Sequence, residues 1–377
     1  MYINMKLPYI NTGIDTTTDI TIMFTQRCQP VCTIATCTNT ELLPIPIHTG
    51  LTRITGMRIA KDNGMKVFGP VPSRRLGRSM GINNIPAKVC TYSCVYCQLG
   101  RTLRIESERT SFYEPREIFD QAKAKVEKAR QIGLRIDYLT FVPDGEPTLD
   151  LNLGREIEIL RPLGFKIAVI TNGSLISRED VREELAKADW VSLKVDCVRE
   201  EIWRRINRPQ PTLQLSAILA WMLEFSLAFK GELVTETMLV HGINNKSDQL
   251  QEVAGFLERL QPAKAYVSVP TRPPAEKWVE SPDEKSINEA YQIFTEHLKT
   301  VGYLIDYEGD NFSLTGDPAE DILSITAVHP MREEALKKLL LEARVDWSVV
   351  DRLLKQGKLI QLVYGGRIFY MRKLSSM

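Results

Sequence analysis

Histidine is scarce in this chain, four among 377 residues, and none lies near its densest group of cysteines. A partial set of cysteine ligands therefore has no nearby imidazole to complete a zinc site. Charge is almost balanced, at +1 overall, so no global field draws in nucleic acid or an anionic membrane, and any such partner must meet a local patch. Long apolar runs are missing too. The longest, 216–229, is interrupted by Glu224 and falls short of the ~20 residues a spanning helix needs. It reads as a buried helix, and no membrane partner is expected. The first residues lack a basic start followed by an apolar stretch, so no signal peptide is visible. Seven cysteines, an odd count without a regular framework, suit reduced thiols in a cytoplasmic protein better than a disulfide scaffold. The remaining composition, 44% hydrophobic and 25% charged, is that of a globular protein long enough for about two or three domains.

What is present is concentrated in residues 89–97, Val-Cys-Thr-Tyr-Ser-Cys-Val-Tyr-Cys. Cys90, Cys94 and Cys97 put three thiols in one short loop. Thiolates spaced by three and then two residues can each reach a different iron of a cubane cluster, leaving the fourth iron without a protein ligand. An open metal position can take a chelating molecule, as catalytic sites do and closed structural sites do not. The same spacing also allows a partial zinc site or a redox pair.

This loop resembles the signature of the radical S-adenosylmethionine (radical SAM) enzymes, with an aromatic residue, here Tyr96, just before the third cysteine. The resemblance implies a [4Fe-4S] cluster held by Cys90, Cys94 and Cys97. It also implies S-adenosylmethionine (SAM) chelated to the open iron, and a one-electron donor such as flavodoxin or ferredoxin. Reductive cleavage of SAM would give a 5′-deoxyadenosyl radical that abstracts a substrate hydrogen atom. A second segment, Gly145-Glu146-Pro147, resembles the family's Gly-Glu-Pro stretch, whose backbone and carboxylate meet the SAM amino group. A flexible glycine before a rigid proline can present a carbonyl to an ammonium.

Residues 1–64 read as a poorly structured extension, rich in Thr, Ile and Pro and without sustained periodicity. They hold Cys28, Cys32 and Cys37, whose gaps of three and four could suggest a second cluster, although the spacing matches no recognised pattern and the surroundings promise no rigid scaffold. Met57 and Met65 each precede the patterned region, and either would serve as the start of the functional chain. From 65 to 310 the sequence is organised. A basic, turn-rich approach (Pro70, Pro72, Arg74, Arg75, Gly77, Arg78) leads to a strand-like run near 80–85. A helical pattern follows at 115–132, with Pro115 at its start. Strand-like runs at 138–142, 166–171, 190–195, 233–240 and 265–269 then alternate with helical patterns near 154–161, 178–187, 199–206, 212–229 and 247–260. Such alternation predicts an α/β fold with a parallel sheet, and the resemblance implies a partial (β/α)6 TIM-like barrel.

Ligands gather at the carboxyl ends of parallel strands. There stand 143–148, Asn172 with Gly173 and Ser174, then Ser192, Lys194 and Asp196, then His241, and finally 270–274. The resemblance makes Asn172, Ser192 and Lys194 candidates for the SAM ribose and carboxylate. Lys194 has a rival role, because enzymes that build wyosine in tRNA use a lysine toward a carbonyl co-substrate, which requires a neutral amine. Cys197 could relay a radical or ligate a cluster, although a buried free cysteine is commoner. The stretch Asn207-Arg208-Pro209, with Arg204 and Arg205, and the run 270–278 resemble the wyosine-related subgroup. The three N-terminal cysteines are bunched where that subgroup spaces them evenly, which puts the wyosine reaction itself in doubt.

An extra strand expected at 303–307 closes this region. Three helical patterns at 321–328, 332–343 and 347–355 follow, then strands at 359–364 and 367–372 joined by Gly365-Gly366, a hairpin signal. Together they suggest a winged-helix domain over 318–377. From residue 319 onward ten Lys or Arg face seven Asp or Glu, a modest excess for phosphate binding, so a nucleic-acid role and a protein or packing role both remain open. The substrate expected first is RNA, above all tRNA, and second a peptide or small molecule. A DNA-binding regulator with a sensing cluster and a zinc-stabilised module are the rivals.

Overall fold

Runs rich in β-branched residues bury both faces when they pair side by side, and alternating helices supply the cover. The computed structural model describes residues 65–305, 312, 314, 315 and 317–373. Cys28, Cys32, Cys37 and Met57 lie outside them. The strands are β1 (Val67–Ser73), β2 (Gly77–Ile82), β3 (Val89–Cys90), β4 (Arg104–Ile105), β5 (Tyr138–Phe141), β6 (Lys166–Thr171), β7 (Trp190–Lys194), β8 (Glu232–Met238), β9 (Lys264–Ser268) and β10 (Val301–Leu304). Between and beside them run helices α1 (Pro115–Gln131), α2 (Leu153–Leu160), α3 (Glu179–Leu185), α4 (Glu200–Ile206), α5 (Leu215–Ala228), α6 (Ser247–Leu260) and α7 (Glu284–His297).

One curled sheet, in the order β1-β2-β5-β6-β7-β8-β9-β10, makes the half-barrel. Its strands from β2 to β10 are parallel, and β1 is antiparallel to β2. The six parallel strands expected from the sequence are β2 and β5 to β9, and two more flank them. Strand β10 falls at Val301–Leu304, a little before the expected 303–307. The turn-rich approach is largely strand: β1 carries Gly69, Pro70 and Pro72, and its register with β2 shifts between Phe68 and Val71. Prolines are tolerated on such an edge strand. Helix α7 lies outside the helical patterns read from the sequence, although Ile287, Ala290, Ile293 and Phe294 form its buried stripe and Asp283 caps it by accepting the Ser286 N–H at 2.8 Å.

Helix α1 buries Ile118, Ala122, Val126 and Ala129, the stripe its spacing predicts, with Pro115 in its first turn. These side chains join Met80, Leu139, Ile167, Val191 and Val267 in the barrel core. After the barrel come α8 (Pro318–Val328), β11 (Met331–Arg332), α9 (Glu333–Glu342), α10 (Ser348–Lys355), β12 (Leu359–Tyr364) and β13 (Arg367–Arg372). The last two strands form the expected hairpin, and both Gly365 (φ 54°) and Gly366 (φ 70°) take the left-handed conformation its turn requires. Arg332, expected to open the middle helix, instead pairs with Phe369, and Met331 pairs with Tyr370, as a third strand. The core of this unit includes Phe68 and Val71 of β1 beside Ile322, Ile325, Leu336 and Leu353.

Candidate active site

The cysteine loop starts at β3 and is fixed from two sides. On one side its backbone lies along residues 206–210: Ser93 N–H donates to the Asn207 carbonyl at 3.0 Å, Val95 N–H to Ile206 at 2.9 Å, and Gln210 N–H to Thr91 at 2.9 Å. On the other, Gly145 abuts Val89 so closely that a β-carbon on Gly145 would stand 1.8 Å from the Val89 carbonyl oxygen. Gly145 is therefore glycine because the backbone ahead of Cys90 passes over it.

Cys90, Cys94 and Cys97 are all half-buried. Two carboxamides aim N–H groups at their sulfurs: Asn172 Nδ2 lies 3.7 Å from Cys90 Sγ, and Asn207 Nδ2 lies 3.4 Å from Cys94 Sγ. N–H donors at sulfur favour the thiolate. Burial opposes it, lifting Cys94 to about 12 and raising Cys90 and Cys97, and the neighbouring thiols add to the effect at Cys90 and Cys94. Thiolates here need positive charge, which iron supplies, so the donor set fits an iron–sulfur cluster.

Glu146 is buried, and its carboxylate takes four donors: Thr148 N–H at 3.1 Å, Thr148 Oγ1 at 2.7 Å, Thr171 Oγ1, and Asn172 N–H at 2.8 Å. Those fill a carboxylate's capacity. The side chain thus fixes the loop after β6, while the Glu146 and Pro147 carbonyls accept from Leu149 and Asp150 N–H at 3.1 and 3.2 Å. Asn172, held this way, donates to Thr91 Oγ1 at 2.8 Å as well as to Cys90. Ser192 is fully buried, and its Oγ has no hydrogen-bond partner among the described residues.

Lys194 is enclosed by Asp196 at 3.6 Å, Glu236 at 3.3 Å and the Tyr96 ring at 5.0 Å. Burial alone would lower its pKa, but Asp196 and Glu236 outweigh burial and raise it. These carboxylates favour the charged amine, whereas the rival role needs a neutral one. Asp196 also accepts from the Tyr96 hydroxyl, from Asn207 Nδ2 at 2.8 Å and from Met238 N–H at 2.8 Å. Arg75 pairs with the other oxygen of Glu236. Cys197 packs into the barrel core, where burial and then Asp196 push its thiol far up. His241 is exposed at the surface.

A cleft of about 250 Å³ opens beside the third cysteine, lined by Tyr96, Cys97, Lys194, Glu236 and Met238, with Val328 of α8 on its far wall. Gln98 ties that wall to the loop, donating to the Val328 carbonyl at 2.7 Å and accepting from Arg272 at 2.8 Å. Arg101 and Arg208 share Glu276, whose backbone N–H donates to Val95 at 3.0 Å. This explains why the 207–209 and 270–278 stretches matter to the loop. Asp196, Glu236 and Asn207 carry more of the site than the sequence reading assigned them. Their signal was position at strand ends, which many polar residues share.

The half-barrel with a three-cysteine loop at its mouth defines a radical SAM enzyme, and the radical SAM superfamily profile matches residues 84–256. Its cofactors are a [4Fe-4S] cluster and SAM, and such enzymes need an electron donor; the regulator and zinc-module alternatives give way. The chain is 47% identical over 311 residues to a UPF0026 protein of Methanocaldococcus jannaschii, covering 82% of this chain and 96% of that protein. It is 35% identical over 209 residues to a UPF0026 protein of Synechocystis sp. strain PCC 6803, covering 55% and 76%. Within the radical SAM class, the chain belongs to the UPF0026 family. An S-adenosylmethionine-dependent nucleotide dehydratase of Lacinutrix mariniflava is 23% identical over 302 residues, covering 74% of this chain and 59% of that protein. No helix among the described residues is long and apolar enough to cross a membrane.

Proposed function

We propose that Cys90, Cys94 and Cys97 hold the cluster and that SAM lies between it and the cleft, against residues 145–147, Asn172, Ser192 and Lys194. The observation that carries this reading is the loop itself: three half-buried thiols, two with N–H donors aimed at sulfur, at the edge of a cleft. When bound, the two groups supply the one-electron cleavage that yields a 5′-deoxyadenosyl radical. The protein's part is to hold and exclude. Within the 145–147 segment the Gly145 carbonyl meets the SAM ammonium, the charged Lys194 attracts its carboxylate, and the buried Ser192 hydroxyl offers an unused hydrogen bond. Tyr96, braced by Asp196 and Asn207, shields the third cysteine.

The substrate presents one nucleoside-sized unit, free or within RNA such as tRNA. A cleft of about 250 Å³ walled by α8 admits one small group and no folded chain, so an RNA substrate would extrude a nucleoside into it. The nucleotide-acting relative supports the same chemistry. Residues 318–373 act as a winged-helix-type domain that closes the cleft and receives the substrate, and a cytoplasmic flavodoxin or ferredoxin delivers the electron. The test is anaerobic: reconstitute the cluster, reduce it, add SAM, and quantify 5′-deoxyadenosine alone, with nucleotides and with bulk tRNA, using Cys97→Ala as control. Cleavage lost in the variant and stimulated by nucleotides or tRNA is expected. Cleavage that neither stimulates would overturn the substrate reading, and no cleavage from a reducible cluster would overturn the site.

A further inference from the structure

A smaller space of about 100 Å³ adjoins the cleft. The turn between β1 and β2 forms one wall, Ser79 of β2 and Thr140 of β5 another, and Val328 and His329 at the end of α8 a third. Arg75, Gln98, Ile170 and Arg272 line both spaces, so the two communicate. Ligand pockets start at ~300 Å³. This chamber is therefore too small for a whole ligand and fits the head group of one whose body lies in the cleft.

Cations from two distant parts of the chain meet there. Arg74 and Arg75 come from the β1–β2 turn and Arg272 from the loop after β9. Ser73 Oγ fixes the turn by accepting the Arg75 N–H at 3.3 Å and the Leu76 N–H at 3.2 Å. Arg272 is buried; it donates to Gln98 at 2.8 Å and lies 2.9 Å from His329 Nε2. A guanidinium only donates, so the ring meets it through a nitrogen lone pair. Glu236 is the one carboxylate among the described residues that line either space. Its two oxygens are divided between Arg75 and Lys194, the latter at 3.3 Å.

Planar forks of N–H donors match oxyanions two oxygens at a time. One fork satisfies a carboxylate, whereas forks arriving from two sides suit a tetrahedral group with three terminal oxygens. We propose that Arg74, Arg75 and Arg272 form the phosphate subsite of the substrate, which is a phosphomonoester. On the reading that the cleft receives a nucleoside-sized unit, on which this identification rests, the substrate is a free nucleotide. An internal RNA phosphate continues as chain on both sides, and a chamber of about 100 Å³ leaves no room for that.

The test reads binding by anaerobic isothermal titration calorimetry on protein that is reconstituted, loaded with SAM and left oxidised. The probes are inorganic phosphate, the common ribonucleoside 5′-monophosphates, their nucleosides and bulk tRNA. A monophosphate that binds about ten-fold or more tighter than its nucleoside is expected, since hydrogen bonds to a charged group contribute at that level. Arg74→Ala and Arg272→Gln should each remove most of that preference and leave nucleoside affinity in place, and Arg272→Lys, which keeps the charge without the fork, should fall between. Arg74 lies on a turn, so Arg74→Ala keeps the test open if thermal melting shows that Arg272→Gln does not fold. Equal binding of monophosphate and nucleoside would overturn the proposal. So would a preference that no variant lowers, or SAM affinity that falls in the variants while the preference stays, which would give the arginines to the SAM carboxylate. Tight binding of tRNA where neither phosphate nor any monophosphate binds would overturn it in favour of RNA. Inorganic phosphate bound by the parent and lost in the variants, with no nucleotide or nucleoside bound, would keep the subsite and sink the nucleoside reading alone.

Discussion

Replacing Gly145 with alanine drives a methyl group into the start of the cysteine loop. The new carbon would stand 1.8 Å from the Val89 carbonyl oxygen, 2.9 Å from its carbonyl carbon and 3.1 Å from Ile85 Cγ2. A relaxed carbon–oxygen contact is roughly 3.3 Å, so backbone on one side or the other must move by about 1.5 Å. Neither side yields easily. Val89 pairs with Arg104 in the β3–β4 ladder, its carbonyl accepts the Glu146 N–H at 3.2 Å, and Ile85 is fully buried. Overpacking of this kind costs about 1–3 kcal/mol, and losing the Glu146 hydrogen bond adds about 1 kcal/mol. A fall of about 2–4 kcal/mol corresponds to a drop in Tm of roughly 4–16 °C for a domain of this size. Because Val89 adjoins Cys90, iron uptake should fall with it. The assay is anaerobic thermal melting of the apo-protein with iron counted after reconstitution, and Gly255→Ala serves as control. Gly255 lies within α6 with no heavy atom within 4 Å of the place an alanine methyl would occupy, so alanine there should gain about 0.5–1 kcal/mol. If Gly145→Ala melts with its parent and loads iron as well, the close packing of Val89 on Gly145 does not position the loop.

Three further outcomes follow from the site's neighbours. Burial pushes Glu236 up, but Lys194 and Arg75 hold it at about 2; its stabilisation is complete above the unfolded value near ~4.3 and is lost as pH falls toward 2. Glu236→Gln leaves buried cations underpaired, should cost about 3–5 kcal/mol at neutral pH, and should flatten the acid limb in urea denaturation read at several pH values. Asp150 shows the opposite sign, raised to about 7 by burial, and Glu156 beside it is raised as well, by burial and then by Asp150. The folded state therefore holds protons that the unfolded chain releases, and stability falls as pH rises from about 4 through 7. Glu156→Gln should remove much of that slope, and an unchanged slope would exclude the pair as its source. Asn207→Ala deletes the N–H groups facing Cys94, Tyr96 and Asp196, should cost about 1.5–3 kcal/mol, and should lower iron retention during desalting. Full retention would show that this amide does not support the loop.

Strand and helix order was legible because each parallel strand is a short β-branched run and each covering helix shows its buried stripe, as α1 does with Ile118, Ala122, Val126 and Ala129. The hairpin of β12 and β13 was legible because only glycine readily takes both left-handed positions of its turn. Strand β1 was not, since Gly69, Pro70 and Pro72 carry the local signal of a turn, and pairing with β2 overrides it. Helix α7 is a different case: its stripe of Ile287, Ala290, Ile293 and Phe294 has ordinary helical spacing, so its signal is local and readable.

The amino-acid sequence by itself determined the three cysteines and their spacing, the Gly-Glu-Pro segment and the alternation that makes a half-barrel, because these depend on residues close together in the chain. Tertiary structure alone decided which distant residues complete the site. It set Asn172 and Asn207 against two of the sulfurs, made Glu146 a brace through Thr148, Thr171 and Asn172, buried Cys197 in the core, and enclosed Lys194 between Asp196 and Glu236. Charge state and hydrogen-bond partners depend on burial and on neighbours contributed by other strands. No local pattern encodes those; they come into being when the sheet curls and brings its carboxyl ends together.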